Sequence, residues 1–313
     1  MTPNPLISGA DGGLIHAGNR PDTILRPDLK TVFTDRAERF LALADGHSYG
    51  DYLLFLARLS ELQHQCLQDH PQVALPDDTS FILAREHRMP PLSATGWQRD
   101  SVWRAHLQRI AGGMRENAAP EIVSVLDYLD HAAVDELDKL ADNVLKMNYL
   151  PEYADRLPFI AAALQVYWTY MAGTPGVAEQ LSVFPDAANL CPCCGSLPVA
   201  GIVRITGEVS NLRYLHCSLC NTEWNMVRAK CSLCESADHV GYRHIEGNSD
   251  AVRAECCTDC EAYLKMMRQD KDAKIDPVAD DLATLTLDML MDEAGFQRCG
   301  PNPLFVSGAA VEV

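Results

Sequence analysis

Residues 191–220 read CPCCGSLPVAGIVRITGEVSNLRYLHCSLC, and residues 231–260 read CSLCESADHVGYRHIEGNSDAVRAECCTDC. Overlaid at an offset of 40, they put Cys191 and Cys194 on Cys231 and Cys234, and Cys217 and Cys220 on Cys257 and Cys260. Gly201, Ile205, Gly207 and Arg213 coincide with Gly241, Ile245, Gly247 and Arg253. Eight of the twelve cysteines therefore form four CxxC pairs that repeat in register with their flanks. The two stretches are copies of one unit, and the chemistry of that unit is the chemistry of its sulfurs.

A CxxC pair sets two thiolates at the tip of a tight turn, where both reach one ion, and two such turns joined by a β-hairpin complete a tetrahedral four-sulfur shell. The run Cys191-Pro192-Cys193-Cys194-Gly195 reads as a rubredoxin-type knuckle, in which the glycine lets the backbone curl so that N–H groups point at sulfur. Each repeat holds two pairs of its own. The spacing thus predicts two centres in sequence, one of Cys191, Cys194, Cys217 and Cys220, the other of Cys231, Cys234, Cys257 and Cys260. A disulfide framework fits less well, because disulfides persist in oxidising compartments. The opening MTPNPLISGADGGLIHAG has neither the basic start nor the apolar core of a secretory signal. The expectation is a cytoplasmic protein. Four thiolates suit Zn(II) and mononuclear iron alike, and the residues leave both open. Cys193 aligns with Leu233 and Cys256 with His216, so the shared ligand set needs neither. Cys66 and Cys299 read as small buried residues.

The cysteine-rich part is predicted to be β: Val199, Gly201, Val203 and Ile205 alternate, Leu212, Tyr214 and His216 follow a turn at Gly207, and Trp224, Met226 and Arg228 make another strand. The second copy offers Val240, Tyr242 and His244. Residues 1–187 read as helical instead. Ile122, Val125, Leu126, Leu129, Ala133, Leu137, Leu140 and Val144 keep a three-and-four spacing after Pro120, which predicts one helix of some seven turns. Further helices are expected from Asp51 to about Gln68, along Trp103, Leu107, Ile110 and Met114 (weakened at Gly112-Gly113), and after Pro158. Met266 to Asp276 is charged and looks like a solvated helix end or linker. Leu282, Leu285, Leu287, Met289 and Leu290 give a last amphipathic helix that packs back on another domain. His47, His64, His70, His87, His106 and His131 show no ligand spacing. The fold class is α+β: a helical bundle at 1–187, a first rubredoxin-like or zinc-ribbon-like module at 188–230, and a second at 231–313 with the C-terminal helix.

Charge narrows the function. The chain carries 26 basic and 43 acidic residues, net −17. A nucleic-acid ribbon draws most of its affinity from a cationic surface, which this composition does not supply. Arg204, Arg213, Arg228, Lys230, Arg243 and Arg253 do gather near the ribbons, either as solvated strand positions or as a protein contact. No P-loop, dinucleotide fingerprint, HExxH or nucleophile elbow is present. A closed four-thiolate shell has no open position for substrate. The expectation is a protein that is not an enzyme, with no stable membrane association.

Several runs carry a family resemblance: Cys191 to Val199; Leu212-Arg213-Tyr214-Leu215-His216-Cys217-Ser218-Leu219-Cys220; Thr222-Glu223-Trp224; Val227-Arg228-Ala229-Lys230-Cys231; Tyr263-Leu264-Lys265; Val278 to Ala283; and Asn302-Pro303. Arg36-Ala37-Glu38-Arg39, Gly50-Asp51-Tyr52-Leu53 and Pro158 to Leu164 extend it into the helical part. The chain resembles the formate dehydrogenase accessory proteins of the FdhE family. The resemblance implies a cytoplasmic factor needed for active formate dehydrogenase, a contact with that enzyme's catalytic subunit, and rubredoxin-like iron at two sites, two ions per chain. A zinc-ribbon adaptor for nucleic acid or another complex is the alternative. No role carries over to Cys193 or Cys256.

Overall fold

The computed structural model describes residues 22–69, 72–116, 118–182, 188–205, 211–227, 230–247 and 249–305. The N-terminal stretch read for a signal, His70, Gly207 and Arg228 lie outside them.

The helical part is built around α7 (Leu157–Gly173), whose residues are buried on nearly every side. Such a helix can be apolar all round because no face meets water. Against it pack α2 (Gly50–Gln68), α4 (Val102–Met114) and α6 (Val134–Leu145), while α1 (Val32–Ala44) lies on α2. The short α3 (Asp78–Glu86) starts at Asp77, whose carboxylate accepts from the backbone N–H of Ser80 at 2.8 Å. In α4, Gly112 and Gly113 stay helical; a Cβ at Gly113 would strike Leu62, so the small residue is needed where α2 and α4 approach.

The long helix expected after Pro120 is two helices, α5 (Pro120–His131) and α6, broken where Ala132 and Ala133 are extended at ψ 142° and 148°. Alanine favours a helix, so packing decides. α5 lies on α4 and α6 on α7, and one straight rod could not serve both.

The β-part is one sheet in the order β1-β4-β3-β2-β7-β6-β5, with β8 also paired to β7. The first repeat gives β2 (Pro198–Arg204), β3 (Leu212–Cys217) and β4 (Glu223–Asn225); β1 (Ile24–Leu25) reaches over from the chain start to pair with β4. The second gives β5 (Val240–Arg243), β6 (Val252–Cys257) and β7 (Ala262–Arg268), and β8 is Gln297–Arg298. Parallel pairing of β2 with β7, Gly201 opposite Met266, fuses the two repeats. A Cβ on Gly201 would collide with the Met266 thioether.

Further expectations need correction. Strands β2 and β5 end at Arg204 and Arg243, short of Ile205 and His244. Strand β4 stops at Asn225, short of Met226. Met266–Arg268 are not linker but the end of β7, with Met267 fully buried; the acids beyond them are engaged, Asp270 by Arg268, Asp272 by Arg39 and Asp276 by Arg36. The last helix is split into α8 (Ala279–Leu282) and α9 (Leu285–Glu293). Leu287 and Met291 bury against Tyr263 and Phe296, whereas Met289 and Leu290 face solvent. The expected return to another domain is made by α8 on α1, where Arg39 pairs with Asp280. No helix among the described residues is long and apolar enough to cross a membrane.

Candidate metal centres

Each repeat folds its first CxxC into a turn closed by two backbone bonds. In the first copy Cys191 N donates to Ser196 O at 3.0 Å and Gly195 N to Cys191 O at 2.8 Å; in the second the equivalents are Cys231 N to Ser236 O at 2.8 Å and Glu235 N to Cys231 O at 3.1 Å. The turn needs a left-handed residue after its second cysteine. Gly195 supplies it at φ 78°, but Glu235 adopts φ 60° with a side chain attached. The second turns repeat the device with Asn221 at φ 57° and Glu261 at φ 55°.

These turns bring Cys191, Cys194, Cys217 and Cys220 into one group and Cys231, Cys234, Cys257 and Cys260 into another, with all sulfurs of a group within 4.8 Å. Cys191 and Cys220 sulfurs stand 3.5 Å apart and those of Cys194 and Cys217 3.4 Å; in the second group Cys231–Cys260 and Cys234–Cys257 are both 3.7 Å. A tetrahedron with metal–sulfur bonds of 2.3 Å has edges of about 3.8 Å, so both groups fit one ion held by four thiolates. Burial also calls for a cation in the first group. It pushes the Cys191 and Cys217 thiols well up, and the sulfurs of Cys194 and Cys220 add to the rise at both, although Cys191 opposes it at Cys217. At Cys220 burial again opposes ionisation, but the neighbouring sulfurs of Cys191, Cys193, Cys194 and Cys217 outweigh it and bring it well down. Crowded sulfurs in such a place become thiolates together only around positive charge.

The two groups differ in their surroundings. All four cysteines of the first are buried, whereas Cys234 is exposed and Cys260 half-buried. In the first, hydroxyls meet sulfur: Ser196 Oγ lies 3.4 Å from Cys194 Sγ, and Thr222 Oγ1 3.2 Å from Cys220 Sγ. Backbone N–H groups of Leu219 and Cys220 donate to Cys217 Sγ, each at 3.4 Å. In the second, Leu233 N donates to Cys231 Sγ at 3.4 Å, and the repeat places Ala262 where the first has Thr222. Ser236, the counterpart of Ser196, turns its hydroxyl to Asp259.

The first group is also tied to the helices. Leu92 N and Ala94 N donate to Cys193 O and Cys194 O at 3.0 and 2.8 Å, and Trp168 Nε1 donates to Leu92 O at 2.9 Å. Gln165 Nε2 reaches Ser218 O at 2.9 Å. Asn221 donates to Thr169 Oγ1 and accepts from Arg36 Nη2, both at 2.8 Å. His216, beside Cys217, lies 3.1 Å from Asn221 Oδ1 through Nε2 and 2.9 Å from Glu223 Oε1 through Nδ1. Burial works against the Glu223 carboxylate, but Arg204 and His216 outweigh it and hold the group down at about 2. Glu255 has Arg213 as its single guanidinium, and there burial prevails and the carboxyl stays above its usual range.

Sequence reading missed His216, Asn221, Glu223, Ser196 and Thr222. The signal was in the repeat itself, where His216 faces Cys256 and Thr222 faces Ala262, because unlike partners mark where the copies diverge. The arginines near the ribbons are mostly engaged: Arg204 by Glu223, Arg213 by Glu255, Arg253 by Asp250, and Arg243 over the Phe296 ring at 4.7 Å. Cys193 is buried beside Cys220, Cys256 turns its thiol to Gly241 O at 3.5 Å, Cys66 is buried in the helical part, and Cys299 is buried beside Ser232 and Cys231 of the second centre's first turn. Burial raises the Cys66 thiol to about 11 and the Cys299 thiol to about 12. His106 lies in the helical core, lowered by burial to about 4. Where α1 meets the sheet, a cleft of about 560 Å³ is lined by Arg36, Arg39, Arg204, His216, Glu223 and Asp276 among others.

The family model described as "FdhE, N-terminal" matches residues 21–175, "FdhE, central domain" residues 190–228, and "FdhE, C-terminal domain" residues 229–305. A "Protein FdhE homolog" of Pectobacterium atrosepticum is 40% identical over 290 residues, 92% of each chain. One from Edwardsiella ictaluri is 42% identical over 288 residues, 91% of this chain and 92% of that one. The crystal structure of the FdhE protein from Pseudomonas aeruginosa superposes with a TM-score of 0.82 at 37% identity, covering 92% of this chain and 100% of the other. With family models across the helical part and both repeats, and relatives matched nearly end to end, this chain belongs to the FdhE family.

Proposed function

We propose that this protein is a non-catalytic assembly factor for formate dehydrogenase. It binds the catalytic subunit in the cytoplasm and carries one iron ion in each four-cysteine centre, at Cys191, Cys194, Cys217 and Cys220 and at Cys231, Cys234, Cys257 and Cys260. The observation that carries this reading is family membership over 92% of the chain. The site chemistry agrees with it. Four convergent sulfurs fill a tetrahedral shell, which leaves no place for a substrate to coordinate. The ion would supply structural cross-linking or electron transfer, and the chain's own groups supply its setting: thiolates bind, backbone N–H groups and hydroxyls turn toward sulfur, and the helices keep water from the first centre. The cleft between α1 and the sheet, with Arg36 and Arg204 in its wall, is the contact surface we assign to the partner.

The test is co-purification with a tagged catalytic subunit from cells assembling the enzyme, together with formate oxidation after deletion of the protein. Capture, and a dehydrogenase polypeptide that is made but inactive in the deletion, are expected. Failure of capture with formate oxidation intact would replace this reading with an adaptor for another complex. Metal analysis of protein isolated without oxygen decides the ion, and colour after oxidation checks it: ferric iron in four thiolates gives a red, strongly absorbing protein, zinc a colourless one.

A further inference from the structure

We propose that the two centres divide their labour: the first keeps its ion, and the second is the one that exchanges metal with thiol ligands from outside. This rests on the reading that both sets of cysteines hold metal. Release of an ion from four thiolates begins when one sulfur is replaced. At the first centre no sulfur can be approached, since Cys191, Cys194, Cys217 and Cys220 are each 0–1% exposed. Nor can its turns open freely. Leu92 and Ala94 hold the carbonyls of one turn, and Gln165 and Thr169 of α7 hold Ser218 and Asn221 of the other. Opening either would break buried bonds that belong to the core of the helical part.

At the second centre Cys231 and Cys257 are buried too, but its turns are tied to their own repeat and to β8 rather than to the core of the helical part: Ser236 and His239 meet Asp259, and Gln297 N donates to Glu261 O at 2.7 Å. Its first turn is closed by its own backbone, Cys231 to Ser236 and Glu235 to Cys231. It leads into the outer strand β5, whose residues Tyr242 and Arg243 are exposed. Cys234 is open to solvent, with Leu233 beside it 37% exposed. The hydroxyl that supports Cys220 in the first copy is replaced by the methyl group of Ala262. Loss of hydrogen bonds around a metal ligand commonly weakens the site 10- to 100-fold.

Cys234 is therefore the leaving ligand. An incoming thiol forms a bond to the ion through its sulfur as the bond from Cys234 Sγ breaks. The proton of the incoming thiol ends on Cys234, and no electron changes hands.

The experiment uses the full chain loaded with two zinc ions and challenged with excess 4-(2-pyridylazo)resorcinol, followed by N-ethylmaleimide labelling and peptide mapping at each time. Two equal phases of release are expected, the faster by about 10- to 100-fold. Cys231, Cys234, Cys257 and Cys260 should be alkylated in the fast phase, and the first set only in the slow one. A single phase, or alkylation of Cys191, Cys194, Cys217 and Cys220 first, would overturn the division while leaving two metal centres in place. A chain that takes up no zinc would overturn the metal reading itself.

Discussion

Glu235 stands in the second knuckle where Gly195 stands in the first, and a shared backbone shape asks different things of them. Both are left-handed, at 60° and 78°, and a side chain in that region costs about 1–2 kcal/mol. At Gly195 a Cβ would also lie 3.0 Å from Pro90. Gly195→Ala is expected to destabilise by about 1–2 kcal/mol or more, while Glu235→Gly should be neutral or stabilise by up to about 1 kcal/mol, since glycine's unfolded-state entropy offsets part of the relief. Denaturant midpoints of the two variants check the asymmetry. Glu223 gives a second test. Its folded pKa, at about 2, lies below the ordinary carboxyl value, so its stabilisation is complete above about pH 4.3 and is lost as pH falls through about 2. Glu223→Gln strands the partly exposed Arg204 and the buried His216, and should destabilise by about 3 kcal/mol near neutral pH. The gap between variant and wild-type unfolding midpoints should close as the solution is acidified toward pH 2. A gap that stays constant across that range would place the stabilisation elsewhere than in the charge of Glu223.

Among the elements, the break between α5 and α6 has the clearest consequence. Ala133 has φ −61° and ψ 148°, Ala132 before it is extended, and Ala133 is exposed. Proline accepts that φ and requires that predecessor. Ala133→Pro should therefore be tolerated, with a gain of about 0.4–1 kcal/mol, whereas in one continuous helix it would cost about 3 kcal/mol. A thermal melt separates the two. The continuous reading failed because the apolar spacing runs through Ala133 without a Gly or Pro to mark a stop, and what bends the chain is the pair of partners on either side. Where the helix runs straight past its partners, periodicity was enough: Trp103, Leu107, Ile110 and Met114 all bury along α4, which packs on α7 and α2. The sulfur groups were legible for a different reason. Ligand geometry fixes cysteine spacing locally, and the duplication shows which cysteines share it. The hydrogen bonds from Leu92, Gln165 and Arg36 to the first knuckle pair were not legible, because they join residues 53 to 185 positions apart that no local pattern links.

For the whole molecule, the decisive joint is the parallel pairing of β2 with β7. Without it each repeat would be a small ribbon with an open edge; with it the core runs from the helices through Val199, Ile202 and Leu215 to Leu264 and Met267. Gly201 sits at that joint against Met266, whereas its counterpart Gly241 has nothing nearer than Cys256 Sγ at 3.9 Å. Gly201→Val should lower stability by about 1–3 kcal/mol through overpacking, and Gly241→Val should leave urea unfolding close to wild type. Equal losses would mean that the joint contributes nothing special. The same strand order has a consequence during synthesis. As the chain leaves the ribosome, β2 can pair at once with β3, but its other edge waits for β7, roughly 60 residues later, or some 3–12 s at ordinary elongation rates. For that interval the nascent protein presents an unpaired strand edge, the feature most prone to join a neighbouring chain. Newborn molecules crowded on one messenger are thus the population in which this fold is most exposed to aggregation.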